Sequence, residues 1–252
     1  MRVTLNGYVV GDADQWLYDY FEIPAFSPQR VRQAIKDNPE GEALTLELNS
    51  GGGSVFAGFE MYSLLRGAKC DTVAEVQSLA ASAASTIMSG CGTVRVSPVA
   101  QVMMHLPSIY TAGNQNDHKE SVRMLESITQ SILNGYELKC GGKCSREKLR
   151  GMMDRTSWLS AQETVDIGLA DEILFEGDPA GVMNAAGGMP AAADLLARYE
   201  KAVKGGATPA PGHPVTDDGA KSRPAGEEPA DVNDGSWRDE AAIAIERERF
   251  CF

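Results

Sequence analysis

Twice in this chain a strand-like apolar run ends in small residues and then turns helical: in "LELNSGGGSVFAG" (46–58) and in "AEVQSLAASAAS" (74–85). In the first, Leu44, Leu46 and Leu48 alternate with Thr45 and Glu47, the period-two signature of a half-buried strand. A strand that feeds a helix through a tight turn cannot fold back as a hairpin. It must return by a crossover, and crossovers place successive strands parallel with helices on the sheet. This feature, more than any other, restricts the chain to an α/β fold.

The remaining punctuation agrees with that class. Arg2–Val9 reads as a strand, and Ser27-Pro28 as N-cap and first position of a helix reaching about Lys36. Helices are expected at Val55–Leu65, Ser82–Ser89, Asp117–Leu138 and from Ser145 to Met153, with a further one opening on the capping box Ser160-Ala161-Gln162-Glu163. Asp71–Gln77, "TVRV" and "QVMMH" read as strands. The alternation stops near residue 178. Beyond it the reading is a short helical extension over 179–204, a disordered linker over 205–235 holding five of the twelve prolines, and an amphipathic helix over 236–252 opened by Ser236.

Charge and composition exclude several function classes. A net charge of -12 leaves no clustered cations to neutralise phosphates, so no nucleic-acid partner is expected. No apolar run reaches the roughly 20 residues of a membrane span, and the first residues lack a signal-peptide profile. The five cysteines are scattered and odd in number, which suits reduced thiols in a cytoplasm. Cys140 and Cys144 have no second pair and no nearby histidine, so no metal site and no cofactor are expected.

Chemistry is expected where the two strand-to-helix junctions meet. A helix start offers unpaired N–H groups and the positive end of the helix dipole, and glycines let the backbone approach a ligand. That ligand is a phosphate or the oxyanion of an acyl-transfer intermediate. The phosphate reading wants a Walker lysine, and "NSGGGSVFAG" has none. Of the three histidines, His213 lies in the expected linker, His118 begins the long helix, and His105 ends the strand "QVMMH". A serine nucleophile needs a base with a pKa near working pH, and His105 is the candidate.

Four segments in order, "LNSGGGSVFAG", "SLAASAAS", "QVMMHLP" and "WLSAQETVDIGLADEI", resemble the ClpP family of serine peptidases, of the ClpP/crotonase fold. The resemblance covers roughly residues 1–175. Within it, Gly51 stands where the family has proline. "LAASAAS" and the long low-complexity tail are most similar to phage ClpP-related head maturation (prohead) proteases. The resemblance implies repeated β-β-α units around a parallel sheet, a long handle-like helix, and a peptidase domain over 1–178.

By the same resemblance, Ser82 is the nucleophile, His105 the general base, and the N–H groups of Gly53 and Ala83 the oxyanion donors. Ser78 lies in the turn before the helix and Ser85 points elsewhere. The family's acid falls on Thr156, which carries no charge; Asp154, two residues earlier, replaces it if the loop is shifted. Otherwise the site is a slow dyad or inactive. The resemblance further implies a homo-oligomeric ring, or two stacked rings, with Met124, Leu125, Ile128, Ile132 and Leu133 striping the long helix. The first strand begins at about Arg2, so the segment that docks an unfoldase is expected to be missing. A Clp ATPase is then not a partner, and the enzyme is ATP-independent. The expected substrates are scaffold or capsid proteins, met in the host cytoplasm or inside the prohead. Two rival readings remain: a crotonase-type acyl-CoA enzyme, and a non-catalytic or decayed ClpP-like assembly protein.

Overall fold

Leu44, Leu46 and Leu48 are fully buried, while Thr45, Glu47 and Asn49 between them are half-covered. That alternation defines strand β3 (Leu44–Gly53), flanked in parallel by β1 (Arg2–Val9) and β4 (Thr72–Ala81). The structure, a computed structural model, describes residues 1–175. The extension expected over 179–204, the linker over 205–235 and the helix over 236–252 lie outside the described residues, as do His213 and Cys251.

The sheet runs β2 (Ala25–Phe26), β1, β3, β4, β5 (Thr93–Val96), β8 (Glu172–Ile173). The N-terminal half of β4, Val73–Val76, pairs with β5, and its C-terminal half, Leu79–Ala81, pairs with β6 (Gln101–Met104). The exchange of neighbours occurs where the ladder slips: β3 advances from Leu48 to Ser50 while β4 advances from Val76 to Ala80. β7 (Ser157–Leu159) lies antiparallel on β6; every other described pairing is parallel. This is the parallel-sheet α/β architecture that the strand-to-helix junctions predict.

Helices α2 (Pro28–Asp37), α3 (Val55–Arg66) and α5 (Gln115–Cys140) bury Val31, Met61, Leu65, Leu133 and Tyr136 in the core. At the centre is α4 (Ala83–Ser89), every residue of which is buried. A helix covered all round needs small side chains where neighbours come close. Gly58 of α3 supplies one such place, since a Cβ there would stand 3.2 Å from the Cβ of Ala83. The opposite face of the sheet is polar. Arg2 binds Glu47 at 3.0 Å and also Glu75, and Arg95 binds Glu172 at 3.0 Å. Parallel sheets are usually covered on both faces; here one face ends in a row of cross-strand ion pairs.

The long helix α5 begins in a capping box of Asn114 and Asp117 and stops at Gly141, whose φ of 56° closes the left-handed cap. The expected stripe divides along its length. Ile132 and Leu133 are core, Ile128 packs against it, Leu125 is half-buried and Met124 is exposed, as is Val122 outside the stripe. No residue of α5 before Thr129 is buried, so its N-terminal half overhangs the domain.

α6 (Arg146–Asp154) and α7 (Ala161–Asp166) follow, capped by Ser145 and Ser160 as expected. Several details differ from the sequence reading. A short helix α1 (Gln15–Tyr20) follows β1, without a buried residue to announce it. Ser27 makes no side-chain cap bond to α2; instead Asp12 accepts from Gln29 N–H at 2.8 Å. Ser78 is not in a turn but inside β4, where its hydroxyl donates to Asn49. Among the described residues no helix is long and apolar enough to cross a membrane.

Candidate active site

The parallel pairing of β4 and β6 carries two chemically useful side chains to the same end of the sheet. Ser82 follows the last residue of β4, and its N–H donates to Met103 O at 2.9 Å. His105 follows the last residue of β6. The outcome is a hydrogen bond of 2.7 Å between Ser82 Oγ and His105 Nε2. In the tautomer able to act as a base, Oγ–H donates to Nε2 and the ring proton sits on Nδ1. His105 is half-buried, and desolvation lowers its pKa below the ordinary imidazole value. The ring is therefore neutral at neutral pH and free to accept a proton.

Ser82 is the N-cap of α4, yet its side chain makes no cap bond and is left to His105. Its backbone is held at φ 54°, ψ −125°, a region that non-glycine residues rarely enter. Such conformations cost on the order of 1–3 kcal/mol and need surrounding structure to hold them. Here the holding is done by the bond to Met103 and by the turn that Ser85 and Thr86 N–H close on Ser82 O, at 3.0 and 3.4 Å.

The glycine run lies directly against this turn. β3 keeps its pairing through the glycines, with Val9 beside Gly53, where the sequence suggested a loop. Gly52 has φ 97°, and a Cβ on it would fall 2.7 Å from Ser82 Cβ and 3.0 Å from Ala83 N. Only glycine fits. Gly52 N–H is already given to Ser50 Oγ at 3.1 Å, and Ser50 in turn donates to Gly7 O at 2.6 Å. Ser54 N–H donates to Val9 O at 2.8 Å. Ala83 is the first residue of α4 and so has no acceptor within its helix. Gly52 and buried Ser50 escaped the sequence reading as contributors. The triple glycine was the available signal: Gly52 and Gly53 have no room for a Cβ, whereas Gly51 does.

The remaining candidates fall elsewhere. Asp154 does not join the pair. It is the last residue of α6, and its carboxylate accepts from Arg150 Nε at 3.0 Å, one turn back on the same helix. Among the described residues no carboxylate forms an ion pair with His105, and burial is what lowers its pKa. Thr156 is different. The β6–β7 ladder ends on the pair Met104–Ser157, so Thr156 and His105 are the next residue of each segment, and Thr156 N–H closes the end of α6 on Met153 O at 3.1 Å. Ser85 is fully buried, donates to Ser82 O at 2.6 Å and shares a 2.7 Å hydrogen bond with Tyr136 Oη. It supports the turn and is out of reach of solvent. His118 is exposed on α5. Cys140 and Cys144 are buried thiols, with burial pushing Cys140 up to about 12, and no cluster among the described residues has the ligands to hold a metal ion.

Residues 33–177 match the family described as Clp protease, more than half of the chain. The chain belongs to the Clp protease family. It is 34% identical over 143 residues to the ATP-dependent Clp protease proteolytic subunit 1 of Chlamydia trachomatis serovar D, covering 55% of this chain and 72% of that one. To the proteolytic subunit of Bacteroides fragilis it is 28% identical over 138 residues, 54% of this chain and 66% of the other. To proteolytic subunit 2 of Corynebacterium glutamicum it is 30% identical over 133 residues, 52% and 65% of the two chains. The Clp protease match begins inside α2, so β1 and α1 precede it.

Proposed function

We propose that this chain is a serine peptidase in which Ser82 is the nucleophile and His105 the general base. The observation that carries the reading is the 2.7 Å contact between Ser82 Oγ and His105 Nε2 at the end of two adjacent parallel strands. Ser82 Oγ attacks the substrate carbonyl carbon while its proton passes to Nε2. The carbonyl oxygen gains the negative charge and is met by the N–H groups of Ala83 and Gly53. The imidazolium then gives its proton to the departing amine, and the C–N bond breaks. Water, deprotonated by His105, releases the acyl group and restores the serine. No step consumes a nucleotide, so hydrolysis of short peptides is ATP-independent.

With Asp154 paired to Arg150, the enzyme works as a dyad. The acid of a Ser-His-Asp triad is worth a factor of about 10⁴ in turnover, so turnover is slow. That departure also favours a second reading, a decayed ClpP-like assembly protein. The crotonase-type alternative has less support, because an acyl-CoA enzyme does not require a serine bonded to a histidine.

The experiment is reaction with a fluorophosphonate probe. Labelling is expected on Ser82, absent in Ser82→Ala and strongly reduced in His105→Ala. No labelling of the wild-type chain overturns the peptidase reading in favour of the decayed one. Labelling at another serine overturns the assignment of Ser82.

The setting we propose is phage head maturation in the host cytoplasm, with scaffold or capsid protein as substrate. It rests on the "LAASAAS" segment and on the long proline-rich tail. The assembly we propose is a homo-oligomeric ring, or two stacked rings, supported by the overhanging half of α5 with exposed Val122 and Met124.

A further inference from the structure

We propose that Trp16 and Tyr20 of α1 form an apolar subsite that grips a polypeptide substrate away from the scissile bond. The inference rests on the peptidase reading above. Helix α1 has no buried residue, and Trp16 and Tyr20 are 66% and 67% exposed. Spaced i and i+4, they share one face. Tryptophan and tyrosine are enriched among the residues that anchor a bound partner.

The helix is held rather than loose. Tyr18, on the other side, sets its ring 5.9 Å from that of Tyr8 in β1. Gln15 Nε2 donates to Ala25 O at 3.3 Å, and Ile23 N–H donates to Tyr18 O at 2.9 Å. A fixed display loses little entropy on binding.

Its place in the fold connects it to the site. Tyr8, which carries α1 through Tyr18, pairs with Gly52, and Gly52 abuts Ser82. Two more exposed aromatic side chains come from the segments around the nucleophile. Phe56, 65% exposed, is in the first turn of α3 just after the glycines. Trp158, 52% exposed, is on β7 opposite Met103. An extended chain crossing this end of the sheet meets apolar side chains from several elements, with α1 at the β1 side.

The occupant is an unfolded polypeptide segment bearing bulky apolar side chains, rather than a second copy of this chain. Exposed Asp14, Asp19 and Glu22 lie on and beside α1, and the centres of permanent interfaces are depleted of charge. A mixed patch of aromatic and acidic side chains suits a contact that must release. Because α1 precedes the Clp protease match, the subsite is a property of this chain beyond what that match accounts for.

The test compares wild type with Trp16→Ala/Tyr20→Ala. Cleavage of reduced β-casein should fall roughly tenfold or more in kcat/KM, while a fluorogenic tetrapeptide, the fluorophosphonate labelling rate and the light-scattering mass stay unchanged. In a second arm, fluorescein-labelled reduced β-casein is titrated into each protein in a Ser82→Ala background, and Kd should rise by about the same factor. Unchanged casein cleavage and Kd overturn the proposal. So does a lower mass, which makes α1 a contact between copies, or an equal loss on tetrapeptide and casein, which makes it a support of the site. Should wild type fail to react with the fluorophosphonate, the peptidase reading falls by itself, and the casein titration still decides whether α1 binds polypeptide.

Discussion

Ser157 pairs with Met104 at the end of the β6–β7 ladder, which makes Thr156 and His105 the next residues along their two segments. The φ of Thr156 is 54°, an outlier for a β-branched residue. Aspartate enters this region far more readily than threonine. Thr156→Asp should therefore relieve backbone strain and also supply the missing charge beside the imidazole. Peptidase kcat is expected to rise by about tenfold or more, within the factor that a triad acid can contribute. Steady-state kinetics on a short peptide check it; an unchanged kcat removes Thr156 from the His105 environment.

The pH profile should carry the same signature. His105 is a base only when neutral, and burial lowers its pKa. The acidic limb of kcat/KM should therefore fall below the ordinary histidine value of about 6.5. In Thr156→Asp the new carboxylate favours the imidazolium, so the limb should move to higher pH. A wild-type limb above the ordinary value would mean that a negative charge already faces the ring.

Gly52→Ala should abolish activity. The added methyl meets Ser82 Cβ at 2.7 Å on a backbone with φ 97°, and relieving that contact displaces either the nucleophile or the glycine strand. A stability loss of roughly 1–3 kcal/mol is expected in urea denaturation, together with loss of fluorophosphonate labelling. Gly51, whose Cβ would meet nothing within 4 Å, is the control: Gly51→Ala should label normally.

Ser85 provides the second control. Its hydroxyl is bonded to Ser82 O and Tyr136 Oη in the core. Tyr136→Phe removes the buried hydrogen bond to Ser85, at a cost of about 1 kcal/mol, and leaves Ser82 and His105 in place. Labelling should persist while the urea midpoint drops. Complete loss of labelling would show that α4 transmits core packing to the nucleophile.

What the sequence revealed and concealed follows the range of each interaction. Leu44, Leu46 and Leu48 announce their strand because burial alternates with every residue. Ser82 and His105 were legible as motif residues, although 23 positions separate them, because each sits at a junction of its own. Asp12 as the cap of α2 was not legible, since the bond spans 17 residues through an irregular segment. Helix α1 buries nothing, so it carries no apolar period to detect. The isolation of Asp154 was partly readable: Arg150 lies four residues earlier on a helix, where opposite charges meet. The pairing that brings the Thr156 segment beside the His105 segment depends on a three-residue antiparallel strand too short to recognise alone.

The left-handed backbone at Ser82 has an evolutionary consequence. Glycine occupies φ 54° without penalty, so Ser82→Gly should yield an inactive protein that is more stable than the active one. A single substitution thus leads from enzyme to inert fold while improving folding, and mutation pressure runs in that direction. Lineages in which cleavage ceased to matter would drift toward glycine at this position. A serine retained here, against that gradient, is the mark of continuing use.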